Sequence, residues 1–406
     1  MGFLNLLIAA LEPVVEVLLV TAVGLLLAID RIDLLGPNAR RSLNHIVFYV
    51  FNPALIVANL SDTITFTSLV KLWFMPVNIL LTFIIGSALA WILIKITRTP
   101  PHLQSLVIGC CSAGNLGNLL LIIVPAVCEE SNSPFGDSST CSTNGEAYAS
   151  LSMAVGSIYI WTYVYVLMSM NVKDSTTSIK SSGETSEMFS ETCTEALLPS
   201  DNGSTSDDSA NQDELPHTIF GVPFLDTTIH RIKNVTAKIK LKMVFAPSTI
   251  AAAVGFIIGT ASPIRKLIIG DSAPLRVIYS SASLLGEASI PSVTLIIGAN
   301  LLGGLQRSGI SFSVIIGIIA VRFIFLPLLG VVVVKAAHHF GMVGSDSLYQ
   351  FILLLQFSLP PGVAVGTITQ LFQTSVSECS VIMLWTYAVA SLAITLWTTF
   401  YMWLLS

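Results

Sequence analysis

Long apolar runs limit what this chain can fold into more than any other feature. Ten runs are each near or above the ~20 residues that a helix needs to cross the bilayer. Of the 406 residues, 53% are hydrophobic and 11% are charged, which is too apolar for a water-soluble domain of this size. The sequence therefore predicts an all-α, multi-pass membrane protein with ten transmembrane helices, at approximately residues 6–29, 42–60, 72–96, 103–127, 147–170, 244–264, 277–302, 310–336, 348–372 and 379–405.

The fourth and ninth runs contain residues that interrupt a helix. Residues 108–125 carry glycines, amides and a serine at membrane depth, and residues 357–366 carry two prolines and two glycines. A backbone that opens inside the bilayer is tolerated only where it is buried in protein or lines a wet cavity. We therefore predict broken fourth and ninth helices whose free N–H groups form an anion site. The candidate substrate-binding residues are Asn115, Gly117, Asn118, Pro360, Pro361, Gly362 and Val363.

Each of these breaks also has a simpler interpretation. Asn115 and Asn118 are three residues apart, so on a helix they would face the same side. They then either bind a ligand or form hydrogen bonds to a neighbouring helix. Pro360 and Pro361 remove two helical donors and Gly362 permits a turn, which makes either a binding site or a packing kink.

Few charged residues fall inside the runs. Arg322 either offsets an anionic substrate or pairs with Glu287, since a charge at membrane depth indicates function by default. Cys128 and Cys141 share one short loop, where an oxidising compartment would allow a disulfide. The chain has neither an HExxH helix nor paired intramembrane aspartates, so the sequence predicts no enzyme, metal or cofactor. It also lacks the basic, aromatic-interleaved patches of nucleic-acid-binding proteins.

The chain divides into two related halves. Residues 171–243 are rich in Ser, Thr and acids and predict a disordered linker between repeats at 1–170 and 244–406. Trp161-Thr-Tyr163 in the fifth run matches Trp385-Thr-Tyr387 in the tenth. Because five spans is an odd number, the second repeat must be inverted, as in secondary carriers. Most lysines and arginines lie on the linker side, which predicts a cytosolic linker and non-cytosolic termini.

The sequence resembles the plant PIN-LIKES (PILS) family, within the auxin efflux carrier superfamily. The resemblance covers the ten predicted helices. The motifs that carry it are Cys111-Ser-Ala-Gly-Asn-Leu-Gly-Asn118 with Pro125, Leu359-Pro-Pro-Gly-Val363, Leu284-Leu-Gly-Glu-Ala-Ser-Ile-Pro-Ser292 and Gly298-Ala-Asn-Leu301.

This resemblance implies a function that composition does not. It implies a carrier of the endoplasmic reticulum membrane that transports indole-3-acetic acid, with both termini lumenal, and controls how much auxin reaches nuclear signalling. It further implies crossing fourth and ninth helices, elevator-type alternating access, and a homodimer. The carboxylate-binding role is implied for Asn115 or Asn118 and for Pro361, Gly362 and Val363. The acid that such carriers have early in the third helix has no counterpart here, because residues 72–81 contain no carboxylate.

A second function fits the same predicted fold. An ion-coupled carrier of another small organic anion would use Glu287 or Arg322 in coupling. Sodium- or pH-dependent flux that is lost on replacing Glu287 with Gln favours this alternative.

Overall fold

A computed structural model describes residues 15, 18–64, 70–129, 133–170, 247–270, 273–307 and 309–405. The predicted linker at 171–243 lies outside these ranges. Within them, the regular elements are helices. They are α1 (Leu18–Leu27), α2 (Pro37–Ile46), α3 (Asn52–Thr63), α4 (Phe74–Thr97), α5 (Pro101–Ser112), α6 (Asn118–Glu129), α7 (Ser138–Tyr159), α8 (Pro247–Thr260), α9 (Ser262–Ile268), α10 (Arg276–Glu287), α11 (Ser289–Arg307), α12 (Phe312–Ala320), α13 (Leu326–His339), α14 (Ser347–Leu355), α15 (Val363–Phe372) and α16 (Val376–Leu405).

Several of these helices are long and apolar enough to cross a bilayer. In the described ranges there are five such spans, or seven if each of two bent helix pairs counts as one. Of the ten predicted spans, the first is described only in part, and the fourth and ninth are each divided into half-helices. The structure is therefore that of an all-helical multi-pass membrane protein, and the ten-span inverted repeat stays a prediction.

Helix starts follow from local sequence. Proline occupies the first turn of α2, α3, α5, α9 and α13, where a missing N–H costs nothing. Asp137 caps α7 by accepting from the Thr140 N–H, and Asp346 caps α14 by accepting from the Tyr349 N–H. A hydrogen bond from the Ser139 hydroxyl, together with those from Thr140, lowers the pKa of the exposed Asp137 carboxyl.

Three helices contain a single π-helical turn. The turns are Val47–Phe51 between α2 and α3, Ile160–Val164 after α7, and Val321–Phe325 between α12 and α13. Such turns are rare and occur frequently at functional sites. The third contains Arg322, which is buried despite its charge.

Helices of the two predicted halves pack directly against each other. The contact of α3 with α8 is close because Gly255 and Gly259 lie one turn apart on α8. A Cβ at Gly255 would lie 2.7 Å from the Leu60 Cβ, and one at Gly259 would lie 2.7 Å from the Ile64 carbonyl oxygen. Helix α3 also packs against α10, while α11 packs against α2 and α16. Of these helices, α3 and α11 line the cavity described next.

Candidate functional site

Two predicted spans are interrupted in the middle of the protein. Helix α5 ends at Ser112 and α6 begins at Asn118, so residues 113–117 form the first break. Helix α14 ends at Leu355 and α15 begins at Val363, so residues 356–362 form the second break. The backbone in both breaks must find partners outside a helix, because lipid offers none.

The two breaks satisfy part of this need by pairing with each other. Gly114 and Pro361 form an isolated antiparallel bridge. The Asn115 N–H donates to the Pro360 carbonyl at 2.8 Å, and the Gly362 N–H donates to the carbonyl of residue 113 at 2.9 Å. Because these flanking residues make the bonds, the facing pair directs its own polar groups away from the partner strand. Proline, which has no N–H, therefore fits at position 361 without leaving a bond unmade.

Arg322, in the π-helical turn between α12 and α13, forms hydrogen bonds that connect the end of α5 with the second break. Its Nη1 donates to the Cys111 carbonyl and its Nη2 to the Pro360 carbonyl, each at 3.0 Å. Cys111 lies in the last turn of α5, where a helix end favours positive charge. A Cβ at Gly114 would lie 2.6 Å from Nη2, so a larger residue here would require the guanidinium to move.

Tyr387 on α16 makes a second connection between the breaks. The Asn115 side-chain Nδ2 donates to the tyrosine hydroxyl oxygen at 2.8 Å. The Tyr387 hydroxyl in turn donates to the Pro361 carbonyl at 3.1 Å. Both side chains are buried, so bulk water does not compete for these bonds.

A neutral network anchors the second break to α4 and α7. Asn78 Nδ2 donates to the Leu353 carbonyl at 3.0 Å and to Gln356 Oε1 at 2.8 Å. Gln356 Nε2 donates to Ser152 Oγ at 3.0 Å. Uncharged side chains of α4 and α7 therefore hold the second break in place.

A cavity of about 100 Å³ opens between the paired breaks and helices α3, α7 and α11. An engineered apolar cavity of about 150 Å³ binds benzene, so this space is smaller than one that holds a single aromatic ring. A bicyclic ligand would require the walls to move apart. The lining residues are Asn52, Leu55, Ile56, Gly114, Asn115, Leu116, Gly117, Met153, Gly156, Ser157, Ile160, Trp161, Ser289, Ile290, Val293, Gly362, Val363, Ala364 and Thr367.

Helix N-termini meet this cavity. The first N–H groups of a helix have no partner inside it, and Gly362, which caps α15, supplies no side-chain bond. Val363 and Ala364, the first residues of α15, line the cavity. Helix α6 begins directly after Gly117, which also lines it. Two helix dipoles therefore direct their positive ends at one small space.

The structure corrects one inference about the amides of the first break. Asn115 and Asn118 do not share a helix face, because Asn115 lies in the extended segment that pairs with the second break. Asn118 is the first residue of α6, and its side chain lies outside the described part of the structure.

The structure places the other predicted residues as follows. Glu287 is exposed on α10 and accepts from Ser283 Oγ at 3.4 Å, whereas the guanidinium of Arg322 is bound to backbone carbonyls. Of the two roles considered for Arg322, pairing with Glu287 is therefore not the arrangement seen. Cys128 and Cys141 form a disulfide with their Cα atoms 5.6 Å apart. This disulfide connects the end of α6 to the first turns of α7.

Sequence reasoning missed Tyr387, Asn78 and Gln356 as site residues. The matched Trp-Thr-Tyr segments contained Tyr387, but a repeat alone does not tell which member contacts a break. Asn78 and Gln356 sit in apolar runs as single amides, a pattern that does not distinguish a helix-packing bond from a site.

Comparison with known proteins indicates the class of protein. The sequence profile of the family described as "Membrane transport protein" matches residues 9–398. Among curated relatives, Protein PIN-LIKES 3 of Arabidopsis thaliana is 49% identical over 406 residues, covering 99% of each chain. Protein PIN-LIKES 1 of the same plant is 49% identical and covers all of this chain and 81% of the relative. Protein PIN-LIKES 4 is 44% identical over the full length of both.

These matches and the all-helical fold define a membrane transport protein. Within that class, the chain belongs to the PIN-LIKES family of the auxin carrier superfamily.

Proposed function

We propose that this protein carries indole-3-acetic acid across the endoplasmic reticulum membrane. The observation that carries the proposal is one cavity that meets two half-helix N-termini, beside a buried arginine with no carboxylate partner among the described residues. The carboxylate lies at these N-termini, where the free N–H groups of Val363 and Ala364 donate to it. The amide of Asn115 in the first break, or that of Asn118 at the start of α6, completes the polar part of the site.

Electrostatics favours an anion at this position. An isolated carboxylate is very costly to bury unless it is hydrogen-bonded and its charge is offset. Here the helix ends supply donors that are already aligned, and Arg322 supplies a positive charge directly behind Gly114. Because Arg322 uses both terminal nitrogens on carbonyls, it acts through its field and by holding the breaks in place.

The opposite walls of the cavity suit a flat apolar ring. Leu55 and Ile56 of α3, Met153 of α7 and Val293 of α11 contribute apolar side chains, and Trp161 contributes an aromatic one. Small-molecule sites typically combine such walls with a few convergent polar groups. The acid end and the ring end of an auxin therefore find different surroundings in one cavity.

The arrangement of helices also supports an elevator-type cycle. The bridge and Arg322 join the two breaks into one unit, and the cavity separates that unit from α3 and α11. We propose that the chain forms ten spans in two inverted repeats, with lumenal termini and a cytosolic linker, and functions as a homodimer. Sliding of the unit past α3 and α11 would expose the site to each side in turn, removing auxin from nuclear signalling.

Flux of labelled indole-3-acetic acid into liposomes containing the purified protein tests this function. We expect Asn118→Ala to lower uptake roughly 10- to 100-fold, since a hydrogen bond to a charged group contributes about 1.5–3 kcal/mol. Asn38→Ala is the matched control, because Asn38 is exposed on α2 and should leave uptake unchanged.

Three outcomes would redirect the proposal. Uptake that is unchanged in both Asn118→Ala and Gly362→Ala would contradict the site. Binding of the acid without flux would indicate a receptor. Flux that requires sodium or a pH gradient, and is lost in Glu287→Gln, would favour an ion-coupled carrier of another organic anion.

A further inference from the structure

We propose that Tyr387 is a positioning residue that fixes which end of the Asn115 amide faces the cavity, and thereby sets substrate selectivity. The amide presents its carbonyl oxygen, so the site favours acids that also carry a hydrogen-bond donor, such as the ring N–H of an indole. This inference rests on the proposed function, from which it takes the carboxylate at the half-helix N-termini.

The first step is the direction of the protons. The Pro361 carbonyl oxygen can only accept, and it lies 3.1 Å from the Tyr387 hydroxyl oxygen. The hydroxyl must therefore donate its single hydrogen bond to the Pro361 carbonyl, because two acceptor oxygens at this distance would repel each other. The tyrosine oxygen is then left as an acceptor, and its other neighbour, the Asn115 amide at 2.8 Å, must turn an N–H towards it.

The second step is what this leaves for a ligand. Asn115 lines the cavity, whereas Tyr387 does not. With Nδ2 directed at Tyr387, Oδ1 accepts no hydrogen bond from the described residues, and it is not among the side-chain oxygens sealed from solvent. Oδ1 is therefore the end of the amide that meets the cavity. A bound molecule satisfies it only by donating a hydrogen bond.

The third step is that the amide cannot turn over cheaply. Asn115 is 8% exposed and Tyr387 is 4% exposed, so water does not substitute for a lost partner. A flipped amide would place Oδ1 against the tyrosine oxygen, again as two facing acceptors. Because the Tyr387 hydroxyl donates to the Pro361 carbonyl of the second break, it can only accept from Asn115, and this fixes the orientation of the Asn115 amide in the first break.

A substrate consequence follows. The carboxylate is a pure acceptor and is served by the N–H groups of α15 and α6. The ring N–H of an indole is a donor and is matched by Oδ1 of Asn115. A site built to accept from a substrate N–H disfavours an analogue without it, because the buried acceptor is then left unpaired.

The test uses two acids that differ at one ring atom. In 1-benzothiophene-3-acetic acid, sulfur replaces the N–H of indole-3-acetic acid, while the ring shape and the carboxylate are retained. Each unlabelled acid is titrated against labelled indole-3-acetic acid uptake by the full-length protein in liposomes. We expect the wild-type protein to favour the indole by roughly tenfold or more.

Tyr387→Phe removes only the hydroxyl oxygen, which frees the Asn115 amide to turn. We expect this preference to fall to roughly twofold, mainly through a higher KM for the indole acid. Tyr401→Phe is the matched control, because Tyr401 is buried on the same helix and bonds the Ser358 hydroxyl of the second break at 2.6 Å, away from Asn115. It should keep the wild-type preference even if it lowers stability.

A second replacement keeps the test decisive if Tyr387→Phe does not fold. The amine of 4-aminophenylalanine at position 387 can donate both to the Pro361 carbonyl and to Oδ1 of Asn115. This turns the amide N–H groups to the cavity, and the preference for the indole should be lost while the protein stays folded.

The outcomes separate the two proposals. A preference for the indole that is equal in wild type, Tyr387→Phe and the 4-aminophenylalanine variant would overturn the role of Tyr387 while leaving the carrier function intact. The absence of a wild-type preference would also overturn it. Wild-type protein that takes up neither acid would instead defeat the proposed function.

Discussion

The two breaks meet at one bridge, but they are built from different chemistry. The first, residues 113–117, contains glycines and Asn115, and its side-chain amide meets the cavity. The second, residues 356–362, contains two prolines and offers backbone carbonyls. The Pro360 carbonyl accepts from both Asn115 N–H and Arg322, and the Pro361 carbonyl accepts from Tyr387.

This difference separates the groups that can contact a ligand from the groups that hold the two breaks in place. The Pro360 and Pro361 carbonyls of the second break already accept hydrogen bonds from the protein, so these groups hold their neighbours in position. The first break keeps a side-chain oxygen without a described partner, so its side chain can respond to a ligand, whereas on the side of the second break it is the backbone N–H groups of α15 that can do so. Side-chain changes should therefore affect binding more in the first break, whereas changes to the supporting arginine should affect both breaks together.

The largest expected effect comes from Arg322→Leu. It removes two hydrogen bonds from a charged donor, each contributing about 1.5–3 kcal/mol, and leaves the Cys111 carbonyl without its donor, whereas the Pro360 carbonyl keeps the Asn115 N–H. Thermal unfolding of the detergent-purified protein measures the loss. Arg322→Lys keeps the charge but not the two-pronged geometry, so its melting temperature should fall between the others. A leucine variant that melts like wild type would show that the breaks hold each other without Arg322.

A smaller effect should follow from removing the disulfide, which restrains the far end of α6, the helix that follows the first break. The Cys128–Cys141 bond joins the end of α6 to α7 across a sequence separation of 13 residues. Loops of about 15 residues gain about 3 kcal/mol from closure. We expect the double Cys→Ser variant to lose up to about this much in denaturant unfolding, as wild type does in reductant. Reductant should leave the double variant unchanged, and any shift in it would point to a different thiol.

The smallest effect should come from replacing a glycine beside the bridge, either Gly114 in the first break or Gly362 in the second. Gly114→Ala places a Cβ 2.6 Å from Arg322 Nη2, and Gly362→Ala places one 3.0 Å from the Gly114 carbonyl oxygen. We expect Gly114→Ala to cost more, within the ~1–3 kcal/mol typical of overpacking, because the guanidinium must leave its carbonyls. In an Arg322→Leu background its cost should shrink, as measured by a double-mutant cycle of melting temperatures. An equal cost of Gly114→Ala in the wild-type and Arg322→Leu backgrounds would show that the added Cβ does not clash with the guanidinium.

Much of this architecture could be predicted from local sequence. Glycines, amides and prolines inside apolar runs located both breaks, because lipid does not satisfy an open backbone. The same reasoning selected Asn115 and Gly362, and both line the cavity. The family was also recognisable, because two of its motifs overlap these breaks.

Other features depend on contacts between distant segments, which composition does not encode. The helical spacing of Asn115 and Asn118 failed because a bridge to Pro361 holds the first break extended. Arg322 and Tyr387 lie 38 and 26 residues from the carbonyls they bind in the second break, on separate helices. Periodicity shows that such residues are unusual in a membrane, but not which neighbour each one meets.

The π-helical turn at Val321–Phe325 has a consequence for how Arg322 reaches its partners. A wide turn inserts about one extra residue, which rotates everything after it by roughly 100° relative to an ordinary helix. Helix α12 packs against α4, α5 and α16, whereas α13, beyond the turn, packs against α4 and α14. The extra residue thus lets one continuous helix keep its contact with α4 while its other neighbours change. Deleting a single residue in this turn would rotate α13 relative to α12 and turn the Arg322 guanidinium away from the two breaks.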